Sequence, residues 1–167
     1  MSRKVLIVMG SANDLERVRP VLKVLDELEI ESEVKVASAH RSPRRAANIA
    51  REARERGVGA IVAAAGAAHH LGGALAANTT LPVIALPIAV GTLGGIDSLL
   101  SAVQMPGGVP IAAVGIDGAK NAALLAAAIL GVDDPELAER LERRREDQRR
   151  GVEEADARVQ SRLASGS

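Results

Sequence analysis

Short apolar runs recur along this chain with helix-length polar stretches between them, and that alternation leaves few folds open. Lys4–Met9 (KVLIVM) is a continuous apolar run ending at Gly10. Residues 59–64 (GAIVAA) and 82–87 (PVIALP) repeat the pattern, and 33–37 and 110–116 read as two further strands. Apolar runs of this length, bounded by turn residues, fit strands buried on both faces, as in parallel sheets. Between them lie segments with helical spacing. Val18, Val21, Leu22 and Leu25 share one face of a helix reaching about residue 28, with Asn13 or Asp14 as its cap and Pro20 expected to kink or delay it. Residues 43–56 form a second helix with a basic outer face, stopped by Gly57. Residues 96–103 and the Ala-rich 121–130 read as two more. Strands alternating with helices predict a doubly wound parallel sheet.

Residues 135–163 follow a different pattern. Leu137, Leu141, Val152, Val159 and Leu163 form a sparse apolar stripe among many charges. One long helix is expected, with a bend at Gly151 and a stripe that docks on a neighbouring subunit. The chain therefore divides into an α/β domain at 1–133 and a helical extension at 134–167. Ser165, Gly166 and Ser167 are expected to be disordered.

Composition narrows the chemistry. The 167 residues include no Phe, Trp or Tyr, so the core must be built from Ala, Val, Leu and Ile. No ligand can stack on an aromatic ring of Phe, Tyr or Trp. An engineered reduced alphabet and an unusual natural sequence both fit that composition. Lys and Arg number 21, as do Asp and Glu, which gives no electrostatic footprint for nucleic acid or a membrane surface. Without cysteine there is no disulfide or thiolate chemistry. The N-terminal residues run directly into a strand with no signal-like segment, and no apolar stretch has the length of a membrane span, so a cytoplasmic protein is expected.

The chemically dense stretch is 34–43 (VKVASAHRSP). Ser42 is a good N-cap and Pro43 suits the first helical position. His40 and Arg41 then fall in a loop at the carboxyl end of a strand, where parallel α/β sheets bind ligands. Arg suits a phosphate and His suits proton transfer near neutral pH. A second candidate loop, 65–73, joins small residues to the pair His69–His70. Small residues let backbone N–H groups approach a ligand. Adjacent histidines point apart and are not a metal signature.

Four motifs, read together, resemble those of the class I N5-carboxyaminoimidazole ribonucleotide mutases of purine biosynthesis. Met9-Gly10-Ser11-Ala12-Asn13-Asp14 is similar to that family's MGSxSD, and Ser38-Ala39-His40-Arg41-Ser42-Pro43 to its SAHR[ST]P. Residues 66–73 (GAAHHLGG) are similar to its GGAAHLPG, which places His70 on the family histidine, and 97–106 to its DSLLSxVQMP. The resemblance spans about residues 4–141. It implies a flavodoxin-like three-layer αβα fold, a homo-octamer with sites at subunit junctions, and a cofactor-free, metal-free reaction. In that reaction the N5 carboxylate of a ribonucleotide moves to C4 of its imidazole. It further implies His40 as general acid and base, with Arg41 and Ser38 on the phosphate and Asp14 on the ribose. Ser11, Asn13, Ala68, His70 and Leu71 complete the substrate-binding set.

The chain departs from the family pattern at several points. Asn13 replaces a Ser, His69 an Ala, Gly72 a Pro and Ala74 a Met, and Asp117 stands where Asn is common. Asn13 is expected to alter a phosphate contact, His69 to add bulk and charge beside the site, and Gly72 to loosen its loop. Two other readings compete: an aminoimidazole ribonucleotide carboxylase using free carbon dioxide, and an oligomeric scaffold that keeps the fold without the chemistry.

Overall fold

The computed structural model describes residues 3–165; Gly166 and Ser167, expected to be disordered, lie outside the described residues. A five-stranded parallel sheet has the order β2-β1-β3-β4-β5, with β1 at Lys4–Met9, β2 at Ser32–Val36, β3 at Val58–Gly66, β4 at Val83–Ile88 and β5 at Ala112–Ala113. Helices α1 (Leu15–Glu27), α2 (Pro43–Glu52), α3 (His70–Ala76), α4 (Ile96–Val103), α5 (Ala119–Leu130) and α6 (Pro135–Ala164) follow or join the strands. This is the doubly wound parallel sheet that the alternation predicts, in the flavodoxin-like form that the resemblance implies.

The two-residue period of a strand divides the core into two layers. Val5, Ile7 and Met9 of β1 face α1 and α5, together with Ala60, Val62 and Ala64 of β3. Leu6 and Val8, with Ile61 and Ala63, face α2 and α3 on the other side. Ala46 and Ala50 of α2, and Ala122, Ala123, Ala126 and Ala127 of α5, are buried. Small helix residues let helix and sheet backbones lie close, which suits a core that has no large rings to fill a wider gap.

Several expectations need correction. β5 is a two-residue edge strand instead of a run over 110–116. Pro110 carries no ladder donor, and regular pairing begins only beyond it. The helix over 43–56 ends at Glu52, and a chain of turns leads to Gly57, whose φ of +80° suits glycine. α1 runs through Pro20 as one helix, preceded by a 3₁₀ turn at Ala12–Asp14. The candidate loop at 65–73 is not a loop throughout, because α3 begins at His70.

α6 is one continuous helix through Gly151. The Asp134 carboxylate accepts a hydrogen bond from Leu137 N–H at 3.0 Å, and Pro135 occupies the first turn, so its start is well capped. The apolar stripe divides. Leu137 is buried in the core beside α5, with Leu141 packed against it, whereas Val152, Val159 and Leu163 are exposed. Arg140 pairs with Glu29 at 3.7 Å and Arg144 with Glu27 at 2.8 Å, which ties the first half of α6 to the end of α1. The start of the helical extension thus belongs to the α/β core of its own chain.

Leu137→Ala is expected to cost about 2–5 kcal/mol, as for other buried leucines. Urea unfolding of the variant checks this, and an unchanged midpoint would show that α6 is not anchored there.

Candidate active site

β1 lies between β2 and β3, so the chain moves to opposite sides of β1 after its first and second helices. Their carboxyl ends therefore flank the point at which the sheet order reverses, where open α/β sheets bind ligands. A cleft of about 470 Å³ occupies that position. Ser11, Asn13 and Asp14 reach it from the loop after β1; Ser38, His40 and Arg41 from the loop after β2; Ala68 and Leu71 from the segment after β3. His70 does not line the cleft but touches it through His40. A larger cavity of about 830 Å³ lies at the opposite, amino end of the strands, among Arg3, Gly59, Pro82 and Leu137. No strand-end loop carrying the histidines reaches it, and its size alone does not make it the site.

Each loop is held by its own hydrogen bonds. After β1, Ser11 Oγ accepts from Asn13 N–H at 3.2 Å and Asp14 Oδ2 accepts from Ser11 N–H at 3.1 Å. This is the reciprocal arrangement of a capping box. Asn13 or Asp14 was expected to cap α1; Asp14 stands at the cap position, but its side chain points back to Ser11 and caps nothing in α1. Its second oxygen is left to accept from a ligand. Burial pushes the Asp14 carboxyl above its ordinary value, while the Ser11 N–H and Arg17 pull it down.

The loop after β2 is a closed serine pair. Ser42 Oγ accepts from Ser38 N–H at 2.9 Å, and Ser38 Oγ accepts from Arg41 N–H at 3.1 Å. Ser42 therefore braces Ser38 in place of capping α2 by its side chain. The Arg41 guanidinium donates to Gly10 O at 3.3 Å and has no carboxylate partner among the described residues. A cation anchored to the β1 loop but not neutralised is well placed for an anion.

His40 Nε2 lies 2.5 Å from His70 Nδ1, with the rings edge to face at 4.6 Å between centroids. A hydrogen bond between two imidazole nitrogens holds one proton. While it persists, the pair carries at most one positive charge, since two N–H groups cannot face each other at that distance. Loops from two different strands thus meet at a proton-sharing contact.

His69 lies elsewhere. It was expected to add bulk and charge beside the site, but it is buried at 1% exposure behind the turn. Its Nδ1 is 3.2 Å from Ala65 O and 3.2 Å from Ser98 Oγ. Burial lowers its pKa from 6.5 to about 4, so the ring is neutral at ordinary pH. Gly72 does not loosen a loop; it lies in α3, where an added Cβ would meet His69 Nε2 at 3.1 Å. The two departures from the family pattern fit each other.

Sequence reasoning missed two contributors. Val90 enters the cleft from the loop after β4 and packs where a Cβ on Gly66 would be, so Gly66 is required by close approach. An apolar Val carries no chemical signal by which to find it. Ala67 has a φ of +53°, in the left-handed region, at a cost of about 1–2 kcal/mol. Such strain clusters at functional sites and needs a surrounding structure that enforces it.

Comparison with known proteins shows the family and the fold. The family model for AIR carboxylase (AIRC) matches residues 4–151. The chain is 55% identical over 147 residues to an N5-carboxyaminoimidazole ribonucleotide mutase of Pyrococcus abyssi, covering 88% of this chain and 84% of that protein. It is 51% identical over 151 residues to the Bacillus subtilis protein of the same name, covering 89% and 93%. Among solved structures, Treponema denticola PurE superimposes with a TM-score of 0.85 at 28% identity, covering 93% of this chain and 98% of that one.

A buried neutral histidine makes stability depend on pH. Its folded pKa lies below its unfolded value, so the unfolded chain binds the proton first. Stability is complete above about 6.5 and declines as pH falls toward about 4. Thermal unfolding between those limits is expected to lose stability in the native protein and less in His69→Ala; equal slopes would place His69 in solvent.

Proposed function

The chain belongs to the AIR carboxylase family, and on that premise we propose that it is an N5-carboxyaminoimidazole ribonucleotide mutase of purine biosynthesis. The observation that carries this reading over a carboxylase is that relatives about half identical across most of the chain bear the mutase name. The cleft supports it. Arg41 and the Ser38 hydroxyl suit the phosphate, and the free oxygen of Asp14 suits a ribose hydroxyl. Ser11 and Asn13 border the phosphate, while Ala68 and Leu71 enclose the base and His70 acts on the site through His40.

His40 begins protonated and gives its proton to the carbamate nitrogen. The C–N bond breaks, releasing carbon dioxide and leaving 5-aminoimidazole ribonucleotide. C4 then attacks the carbon dioxide, a C–C bond forms, and His40 takes the C4 proton. Atoms and charge balance, and His40 returns to its starting state. No external carboxylate donor, metal or cofactor enters this scheme. Once His40 has given up its proton, the His70 contact at Nε2 fixes which nitrogen keeps the remaining one. Enclosure matters because released carbon dioxide must wait for C4.

Enclosure also supports oligomerisation. Leu93, Ile96, Leu100 and Val103 recur at helical spacing on and before α4, all more than half exposed, and Val90 continues this apolar patch to the cleft. In our reading a second copy of the chain covers this face and closes the site, in a homo-octamer. Val152, Val159 and Leu163 of α6 are the second surface of that assembly. The protein acts in the cytoplasm on a small ribonucleotide; no nucleic acid or membrane takes part. Among the described residues no helix is long and apolar enough to cross a membrane.

A mutase converts N5-carboxyaminoimidazole ribonucleotide directly, a carboxylase needs aminoimidazole ribonucleotide with bicarbonate, and a scaffold turns over neither. His40→Asn is expected to lower turnover about a hundred- to ten-thousand-fold while leaving oligomeric state intact. Near-native rates in that variant would remove His40 from the mechanism. Arg41→Ala is expected to weaken substrate binding about ten-fold or more, with Arg44→Ala close to native. Equal losses would misplace the phosphate. Light scattering on Leu100→Lys is expected to show smaller species than the native octamer; a native chain that is monomeric at low micromolar concentration would contradict the assembly.

A further inference from the structure

The segment 97–101 (DSLLS) belongs to the motifs of this chain, yet neither Ser98 nor Ser101 lines the cleft. Ser98 is fully buried, and its hydroxyl donates to Ala65 O at 2.8 Å. With that proton committed, the Ser98 oxygen is free to accept. His69 Nδ1 lies within 3.2 Å of both this oxygen and Ala65 O. A carbonyl can only accept, so the tautomer that satisfies both contacts carries its proton on Nδ1. One level up, Ser101 Oγ accepts from His69 N–H at 2.9 Å and donates to Ser98 O at 3.0 Å. The side chain and the backbone of His69 are therefore both clamped to α4.

This clamp spans the strained turn. Ala65 ends the buried part of β3, Ala67 follows with positive φ, and His70 begins α3 with its N–H turned back to Ala68 O at 2.8 Å. A turn of small residues has few side-chain contacts of its own to hold such a conformation. The fixed points are Ala65 at one end and His69 at the other, and both are tied to the same serine. His69 Nε2 has no hydrogen-bond partner among the described residues and is packed against Gly72, where an added Cβ would press on the ring.

We infer that His69 is a positioning residue, which through Ser98 and Ser101 holds the Ala67 turn and so sets His70 against His40. His69 touches no reacting atom. It acts through its neighbour in sequence, and Gly72 is the space the ring requires. This inference rests on the mutase reading for its kinetic consequence but not for its structural one.

The test uses the full chain and three variants, His69→Ala, His69→Asn and Ser101→Ala. The protein has three histidines, so each imidazole can be followed individually by ¹⁵N chemical shifts, which report the nitrogen that holds the proton. No substrate is needed. In His69→Ala the shifts of His40 and His70 are expected to lose the signature of a shared proton. With N5-carboxyaminoimidazole ribonucleotide, kcat is expected to fall about ten-fold while KM stays within about two-fold, the pattern of a group that acts after binding. The pH profile of kcat should change shape as well. Asn carries an amide where Nδ1 lies, so His69→Asn is expected to recover most of the rate and the shared-proton shifts. Ser101→Ala should fall between the two. Native shifts and native kcat in His69→Ala would overturn the inference. So would an Asn variant no better than Ala. If the Ala variant does not fold, the Asn and Ser101→Ala shifts decide by the same criteria: a native shared-proton signature in Ser101→Ala, or its loss in Asn, counts against the clamp. If the native protein shows no turnover, the mutase reading fails while the shifts still judge the positioning of His70.

Discussion

The site depends on β1 lying between β2 and β3. With the order β2-β1-β3, three successive strand ends come side by side, and each releases its loop into one cleft. No residue of the cleft is near another in sequence across loops: Asp14, His40 and Leu71 converge only because parallel pairing sets their strands in register. The His40–His70 contact at 2.5 Å is the narrowest expression of that constraint. A shift of β3 along β1 would also move its alternating residues between the two core layers, so the packing that builds the core also fixes the chemistry.

The core achieves this without one aromatic ring. Alanines on α2 and α5 let the helices lie close to the sheet, and branched residues of β1, β3 and β4 fill the layers. Rigidity near the cleft comes from short polar bonds instead of ring packing. The Ser11–Asp14 pair, the Ser38–Ser42 pair and the Ser98–His69 cluster each hold one strand-end loop. His69 shows how far burial changes a residue's meaning. The same imidazole that would titrate near neutral pH in solvent stays neutral here and serves as packing with a single oriented donor.

Much of the fold was legible because apolar runs and helical spacing report burial directly. Lys4–Met9 and Ile96–Val103 stand where periodicity puts them. β5 and α3 were not legible, for identifiable reasons. Pro110 interrupts a ladder that the apolar run alone suggests, and α3 carries so many small residues that its helical face has little contrast. Most of the residues that line the candidate cleft were legible from motif chemistry, since His40, Arg41 and Asp14 announce themselves in short loops. The role of Asp14 was not, because a carboxylate at a helix start can cap forward or backward, and only the Ser11 N–H decides. Nor was the placement of His69 beside His70: adjacency in sequence says that two side chains diverge, not which one is buried.

The central claim is that ribonucleotide binds at the carboxyl ends of β1, β2 and β3, and not in the larger cavity at the amino ends. Hydrogen–deuterium exchange with and without the product, 4-carboxy-5-aminoimidazole ribonucleotide, tests it directly. Bound product is expected to slow exchange in residues 10–14, 38–42 and 66–71 and to leave 129–137 unchanged. Protection confined to 129–137, with the three loops unaffected, would contradict the account.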